Sequence, residues 1–301
     1  YRNIEIGGNM ELRVLRYFLA VAKEESITAA SESLHVTQPT LSRQLMELEE
    51  EFGKKLFIRG NRKITLTDEG MLLRKRAEEI VELVEKTETE IIASDEIING
   101  DIYIGGGETD VMRILAHTAK KLQEKYPHIR YHLFSGNADD ITERLDRGLL
   151  DFGVVIEPAN IQKYDYLKLP ATDTWGVLMR KDSPLAQNDV IKPKDLWNVP
   201  LLCSRQSMVG KEISQWIGRD FDKLNIVATY NLVYNASIMV DEGIGYALSL
   251  DKLVNTTGNS ALCFKLLEPK LEVGLNIIWK KSQVFSKAAK KFLELLKAEL
   301  H

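Results

Sequence analysis

Cysteine is scarce in this sequence. Its 301 residues include only Cys203 and Cys263, which lie far apart and lack metal-ligand spacing. We predict two buried, reduced thiols, as expected of a cytoplasmic protein. The alternative is a redox sensor, which would require a lowered thiol pKa.

Long apolar segments are also missing. No apolar run reaches the ~18 residues that would span a bilayer. Residues 1–9 have no apolar core and so do not predict a signal peptide, and Met10 resembles a natural start. We therefore expect a cytoplasmic protein and begin the fold prediction at Met10.

Motifs of catalysis and metal binding are absent as well. Residues 105–107 are Gly-Gly-Gly, without the G-x-G-x-x-G or Gly-Lys-Ser/Thr spacing of nucleotide-binding loops. His117, His128 and His132 are too isolated to predict a metal site, and no serine lies in a G-x-S-x-G motif. We expect no cofactor, no metal and no enzymatic activity.

Charge is distributed unevenly along the chain, whose formal net charge is -4. Residues 52–67 contain no acidic residue. Their basic residues are Lys54, Lys55, Arg59, Arg62 and Lys63. This cluster permits contact with nucleic acid, because local charge decides such binding.

Short helices are predicted at the start of the chain. The apolar residues of the first helix recur at helical spacing and are Leu12, Leu15, Leu19 and Ala22. A second helix is predicted at residues 29–34, with Thr28 as its N-cap. Thr37 is the predicted cap of a third helix, whose first turn tolerates Pro39.

The third helix has two contrasting faces. Its predicted buried face contains Leu41, Leu45, Leu48 and Phe52. On or near the opposite face lie Gln38, Pro39, Ser42, Arg43 and Met46. A polar N-terminal face held outward by an apolar one is typical of a recognition helix in a helix-turn-helix protein.

A basic hairpin follows the third helix. Residues 55–59 and 63–67 are predicted strands, joined by Gly60, Asn61 and Arg62. Such a hairpin beside a recognition helix indicates a wing that contacts the phosphate backbone.

The run SITAASESLHVTQPTLSRQLMELEEEFGKKLFIRGNRKITLTDEG, residues 26–70, resembles the DNA-binding domain of LysR-type transcriptional regulators. Its TQPTLSRQL core, LEEEFG helix end, LF-R strand and LT-EG helix start occur in the family's order. The resemblance implies a winged helix-turn-helix, a dimerising linker helix and an effector domain of two α/β subdomains like periplasmic binding proteins.

The resemblance also implies roles for individual residues. Those that would approach bases and adjacent phosphates are Gln38, Pro39, Ser42 and Arg43. Those that would mainly contact the DNA backbone are Thr37, Thr40, Arg59, Arg62 and Lys63.

The linker helix is supported by its own pattern at residues 68–95. An a/d heptad stripe contains Leu73, Ala77, Ile80, Val84, Thr87 and Ile91. Thr67 can cap the helix, and Asp68 and Glu69 suit its positive end. The stripe favours pairing with a second copy, although an amphipathic helix could instead pack on its own domain.

Residues 100–301 alternate strands and helices. The order β-α-β-α-β at residues 101–156 predicts a parallel sheet. The resulting domains are 10–67 (winged helix-turn-helix), 68–95 (linker helix) and 100–301 (effector domain). By the resemblance, subdomain I covers about 100–170 and 269–301 and subdomain II about 171–268, with crossings near Pro170 and Pro269.

Ligands of open α/β sheets bind at the carboxyl ends of strands. In subdomain I, these ends provide Gly107, Glu108, Thr109, Ser135, Gly136, Asn137 and Glu157. In subdomain II, they provide Ser204, Arg205, Gln206, Ser207, Tyr234 and Asn235. We predict that these residues surround a small, polar effector.

The predicted site carries charges of both signs. Glu108 and Glu157 would repel a purely anionic ligand unless one carboxyl is protonated or faces solvent. Arg205 and the helix start after Gly107 could hold a carboxylate. This favours a ligand with both an amino and an acid group, such as an amino acid, unless both glutamates simply point to water.

The sequence thus predicts a LysR-type transcription regulator that binds an inverted-repeat operator in double-stranded DNA as a homodimer, or as a homotetramer built from dimers. An enzyme with an α/β catalytic domain fused to a helix-turn-helix is the alternative from another class. A purely architectural DNA binder with an inactive effector domain is a further alternative.

Overall fold

The computed structural model describes residues 10–60, 63–92, 98–205 and 212–300, apart from the side chains of residues 59, 89, 90 and 92. The chain divides into an N-terminal unit, Tyr1–Ile91, and a C-terminal unit, Ile92–His301. Within the described ranges, no helix is both long and apolar enough to cross a membrane.

The N-terminal unit contains short helices, a hairpin and one long helix. Its elements are α1 (Leu12–Glu24), α2 (Ile27–Ser33), α3 (Gln38–Phe52), β1 (Phe57–Arg59), β2 (Ile64–Leu66) and α4 (Asp68–Ile92). The N-cap of α2 is Ser26 and not Thr28, because the Ser26 hydroxyl accepts the amide of Ala29 at 3.3 Å.

The core of this unit corrects two predicted faces. On α1 the buried residues are Val14, Leu15, Phe18 and Val21, whereas Leu19 and Ala22 are only half-buried. On α3, Leu41, Leu45 and Leu48 are buried as predicted, but Phe52 is 43% exposed. Glu49 is the buried residue near the end of α3.

The long helix α4 begins as predicted, since the Thr67 hydroxyl accepts the amide of Gly70 at 3.0 Å. The predicted heptad stripe is divided, however, because Leu73 and Ala77 pack into the core of their own unit together with Val81. Among the described side chains of α4, the large apolar residues that remain exposed are Met71, Leu72, Ile80, Leu83 and Ile91. Leu72, Ile80, Leu83 and Ile91 form a second stripe that a partner helix could contact.

The C-terminal unit is built on one mixed sheet. Its strands are β3 (Gly100–Gly106), β4 (Ile129–Ser135), β5 (Phe152–Ile156), β6 (Tyr164–Arg180), β7 (Leu201–Ser204), β8 (Ile226–Tyr230), β9 (Tyr246–Leu250), β10 (Leu262–Leu266) and β11 (Glu272–Lys280). Along the sheet the order is β4-β3-β5-β11-β6-β9-β7-β8, with β10 pairing β6. The predicted parallel pairing of β3 with β4 and β5 is confirmed.

Helices cover this sheet. The α-helices are α5 (Met112–Lys125), α6 (Ala138–Asp146), α7 (Glu212–Ile217), α8 (Val233–Asp241) and α9 (Lys287–Leu300). Short 3₁₀ helices occupy Pro184–Gln187, Pro193–Leu196 and Phe221–Lys223. Helix α7 ends at Ile217, and the 3₁₀ helix Phe221–Lys223 follows it before β8.

The two largest apolar cores of the C-terminal unit define two lobes. The first lobe buries Phe152 and Phe292 in its core, and the second buries Leu201 and Leu248. Strand β6 belongs to both lobes, because its start pairs with β11 and its end pairs with β9 and β10. It continues through Pro170, where the sequence predicted a hinge.

Candidate DNA-binding surface and effector cleft

The N-terminal end of α3 is exposed. The Thr37 hydroxyl accepts the amide of Thr40 at 3.4 Å and lies 2.8 Å from the Thr40 hydroxyl, so the predicted cap is confirmed. Thr37, Gln38, Pro39, Thr40 and Arg43 are exposed and Ser42 is half-buried. The structure therefore presents the predicted recognition residues on one accessible surface.

The hairpin β1–β2 lies in the same unit, with Arg59 opposite Ile64. Arg62 and the side chain of Arg59 lie outside the described residues. Lys63 is exposed, and its Nζ lies 2.5 Å from Oε2 of Glu25 at the end of α1. The amide of Ile64 also donates to the carbonyl of Glu25 at 2.9 Å, so the wing is attached to α1.

Glu49 attaches the wing to α3, a role that the sequence prediction missed. Its side chain is only 6% exposed and accepts from Lys55 Nζ at 2.8 Å and from the amides of Leu56 and Phe57 at 2.8 and 3.2 Å. Burial alone would raise the pKa of Glu49, but these donors outweigh it and lower the pKa. An acidic residue beside the apolar stripe of α3 was the available sequence clue.

A cavity of about 440 Å³ lies between the two lobes of the C-terminal unit. The predicted residues that line it are Gly107, Glu108, Gly136, Asn137, Glu157, Ser204 and Arg205. Lining residues absent from the prediction include Asp139, Trp175, Glu212, Tyr230, Asn231 and Val233. The volume falls within the range of small-molecule sites.

Other predicted residues do not line this cavity. Thr109 is buried and donates to Asp173 Oδ2 at 2.5 Å, and Ser135 is an exposed residue of β4. Tyr234 is 70% exposed on α8 and Asn235 is exposed beside it. The lining comes instead from the turn before α8, because β8 ends at Tyr230 and α8 begins at Val233.

Gln206 and Ser207 lie outside the described residues. Cys203 is buried as predicted, whereas Cys263 is only half-buried. Burial raises the pKa of Cys203 to about 12 and also raises the pKa of Cys263, which favours structural thiols at both positions. Among the described residues, no group of three or more His, Cys, Asp or Glu side chains could hold a metal ion.

The two predicted carboxylates of the cleft are held by protein donors. Glu108, in the first lobe, accepts a hydrogen bond from the amide of Val233 at the start of α8, in the second lobe. Glu157 accepts from Asn276 Nδ2 at 2.9 Å and lies 3.9 Å from Lys168 Nζ. The alternative in which both glutamates simply point to water is therefore wrong.

The amides at the helix starts near the cleft already donate to acceptors within the chain. At the start of α5, which has no side-chain cap, the amides of Arg113 and Ile114 donate to the carbonyls of Asp110 and Val111, both at 3.0 Å, so the predicted carboxylate site after Gly107 is corrected. Asn137 Oδ1 similarly accepts the amides of Asp139 and Asp140 at 2.9 and 3.0 Å. Arg205 is the cation that lines the cleft among the described residues.

An exposed recognition helix with a wing, joined in one chain to a two-lobed α/β unit with a cleft, defines the class of ligand-controlled DNA-binding regulators. Comparison with known proteins agrees. The family model described as bacterial regulatory helix-turn-helix protein, lysR family, matches residues 12–71, and the LysR substrate binding domain matches residues 98–301. The chain belongs to the LysR family of transcription regulators and is not an enzyme.

Individual relatives support this assignment. The HTH-type transcriptional regulator BsdA of Bacillus subtilis strain 168 is 30% identical over 221 residues, covering 72% of this chain and 74% of BsdA. The crystal structure of CbnR, a LysR family transcriptional regulator, has a TM-score of 0.75 and 20% identity over 97% of this chain and all of CbnR (100%). Full-length CbnR complexed with its target DNA has a TM-score of 0.73 and 20% identity, covering 96% of this chain and 99% of CbnR.

Proposed function

We propose that this regulator binds an inverted-repeat operator as a homodimer and that a small metabolite with both an amino and a carboxylate group controls it from the cleft. Binding to operator DNA takes place in the cytoplasm. A further association of dimers into a homotetramer would place two such DNA-binding pairs on one operator.

The recognition surface supports specific DNA binding. Gln38, Ser42 and Arg43 are accessible on α3 and offer donors and acceptors to base edges, and Pro39 lies beside them. The residues assigned to phosphates are Thr37, Thr40, Arg59, Arg62 and Lys63. Two copies of this surface on one dyad require two half-sites in inverted orientation.

The exposed apolar stripe of α4 supports the homodimer. Leu72, Ile80, Leu83 and Ile91 expose their side chains to solvent in the single chain. A matching stripe on a second copy would bury them in an antiparallel or parallel helix pair. The dimer thus depends on residues that differ in part from the predicted heptad positions.

The charge of the cleft carries the proposal on the effector. Its described lining contains the carboxylates of Glu108, Asp139, Glu157 and Glu212 together with the guanidinium of Arg205. The acidic groups favour an ammonium group, and Arg205 can hold a carboxylate by paired hydrogen bonds. A free amino acid carries both groups on a small skeleton that fits the cavity.

Calorimetry of the full-length protein tests this proposal. We expect amino acids to bind, while dicarboxylates and amines of matched size bind at least about tenfold more weakly, since each lacks one charge partner. Arg205→Gln should remove most of the affinity, and Arg113→Gln, at an exposed arginine outside the cleft lining, should not. Equal binding of a dicarboxylate, unchanged by Arg205→Gln, would contradict the proposed effector class.

A further inference from the structure

Arg43 is held by a second charged side chain on α3. Its Nε lies 3.5 Å from Oε1 of Glu47, one helical turn further along. The other carboxylate oxygen, Oε2, accepts a hydrogen bond from Gln44 Nε2 at 2.6 Å. We propose that Glu47 is a positioning residue that presents Arg43 to a guanine and thereby sets the base preference of this regulator.

The geometry of the pair supports this role. The contact joins Oε1 of the carboxylate to Nε of the Arg43 guanidinium, and the Arg43 side chain is 72% exposed. A guanine presents O6 and N7 as two neighbouring acceptors in the major groove. An arginine whose Nε faces a carboxylate can direct the N–H donors of its Nη nitrogens toward such a base.

Gln44 makes the arrangement more than a simple surface ion pair. An isolated exposed pair holds two long side chains only weakly. Here the carboxylate of Glu47 is restrained from both sides, by Gln44 three residues before it and by Arg43 four residues before it. Restricting Arg43 before binding lowers the conformational entropy that is lost when it docks on a base.

The negative charge of Glu47 has a second effect on DNA binding. Its side chain is half exposed beside Arg43, so it lies on the surface that approaches the duplex. A carboxylate near phosphates opposes binding to any sequence. Glu47 is thus expected to strengthen discrimination between bases while weakening binding to random DNA, a combination that a purely structural residue would not produce.

This proposal depends on the proposed function in one respect, namely that Arg43 reads a base. The test selects binding sites from a randomised duplex pool with the full-length wild-type protein, Arg43→Ala and Glu47→Gln. We expect both variants to lose preference at the same base position, by about 3–10-fold for Glu47→Gln, less than the full loss of a guanine contact. Titration with a random duplex should show about 2–3-fold tighter binding by Glu47→Gln and a steeper salt dependence.

Glu78→Gln is the matched control, because Glu78 Oε1 pairs with Arg74 Nε at 2.9 Å with the same four-residue spacing on α4. It should leave the selected sequence unchanged. If Glu47→Gln keeps the preference that Arg43→Ala loses, the positioning role is wrong but base reading by Arg43 stands. If Arg43→Ala itself keeps every preference, both assignments are wrong. Thermal unfolding of Glu47→Gln close to wild type would show that any change in preference is not due to misfolding.

Discussion

The recognition surface and the effector cleft use charged side chains in different ways. At the recognition surface, exposed cations pair with glutamates of the same unit, as Arg43 does with Glu47 and Lys63 with Glu25. In the cleft, the carboxylates of Glu108 and Glu157 are held by an amide and an asparagine. The exposed pairs leave their cations accessible to DNA, whereas the anchored carboxylates give the cleft a fixed negative field.

The two units also differ in the pKa of a buried carboxylate, which is lowered in the N-terminal unit and raised in the C-terminal unit. Glu49 is satisfied by Lys55 and two amides, and its pKa is lowered. Burial raises the pKa of Asp173 in the C-terminal unit, and the hydrogen bond from Thr109 only partly opposes this shift. The number and charge of the donors, rather than burial alone, therefore decide the direction of the shift.

The largest effect is expected at the linker helix α4, whose exposed apolar stripe is the proposed dimer interface. The double substitution Ile80→Asp and Leu83→Asp would bury unpaired carboxylates in the helix pair, which costs several kcal/mol. We expect at least about a hundredfold weaker dimerisation by analytical ultracentrifugation. Lys75→Asp, on an exposed position of the same helix, is the control, and a fully dimeric double variant would show that the stripe is not the interface.

Arg43→Ala should weaken DNA binding by the N-terminal unit without affecting effector binding by the C-terminal unit. Loss of a paired contact to guanine is expected to weaken operator binding by about 1–3 kcal/mol. Effector binding should be unchanged, because the cleft is formed entirely by the other unit. Gel-shift titration and calorimetry measure the two effects, and Arg74→Ala serves as the control. If the Arg43→Ala variant binds the operator as tightly as wild type, Arg43 is not a recognition residue.

Glu49 and Asp173 should give opposite pH dependences of stability. Glu49 makes its full contribution to the free energy of unfolding above pH 4.5, the ordinary pKa of a glutamate. This contribution is lost as the pH falls through the lower pKa that Glu49 has in the folded protein. Glu49→Gln should therefore cost about 1–2 kcal/mol at neutral pH and less in acid. Denaturant unfolding between acid and neutral pH measures this.

Asp173 behaves in the opposite sense. Because the pKa of Asp173 is raised in the folded protein, the free energy of unfolding falls as the pH rises from 3.8, the ordinary pKa of an aspartate, through the folded pKa. Asp173→Asn should remove this loss, so that the C-terminal unit unfolds with less dependence on pH above 3.8. A steeper loss in the variant would contradict the assigned cause.

Lys63→Ala is expected to have the smallest effect. It should weaken binding to all duplexes alike, and the slope of log affinity against log salt should fall by about 1. Glu25→Gln, which removes the partner of Lys63, should act in the opposite direction. A change in sequence preference on Lys63→Ala would instead indicate contact with a base.

Local sequence patterns determined most of the N-terminal unit. The caps Thr37 and Thr67 and the buried face Leu41, Leu45 and Leu48 each depend on residues within a few positions of one another. Spacing within a helix fixes such relations before any long-range contact forms. The strand-end rule likewise located Gly107, Glu108, Ser204 and Arg205 at the cleft.

Only the tertiary structure decided which partner each of these residues has. The heptad stripe of α4 is continuous in sequence, yet Leu73 and Ala77 pack in their own core while Ile80 remains exposed. Glu108 contacts the amide of Val233, which lies 125 residues away in the other lobe. Periodicity gives the face of a side chain, but the element opposite that face is set by how strands and helices from distant parts of the chain are brought together.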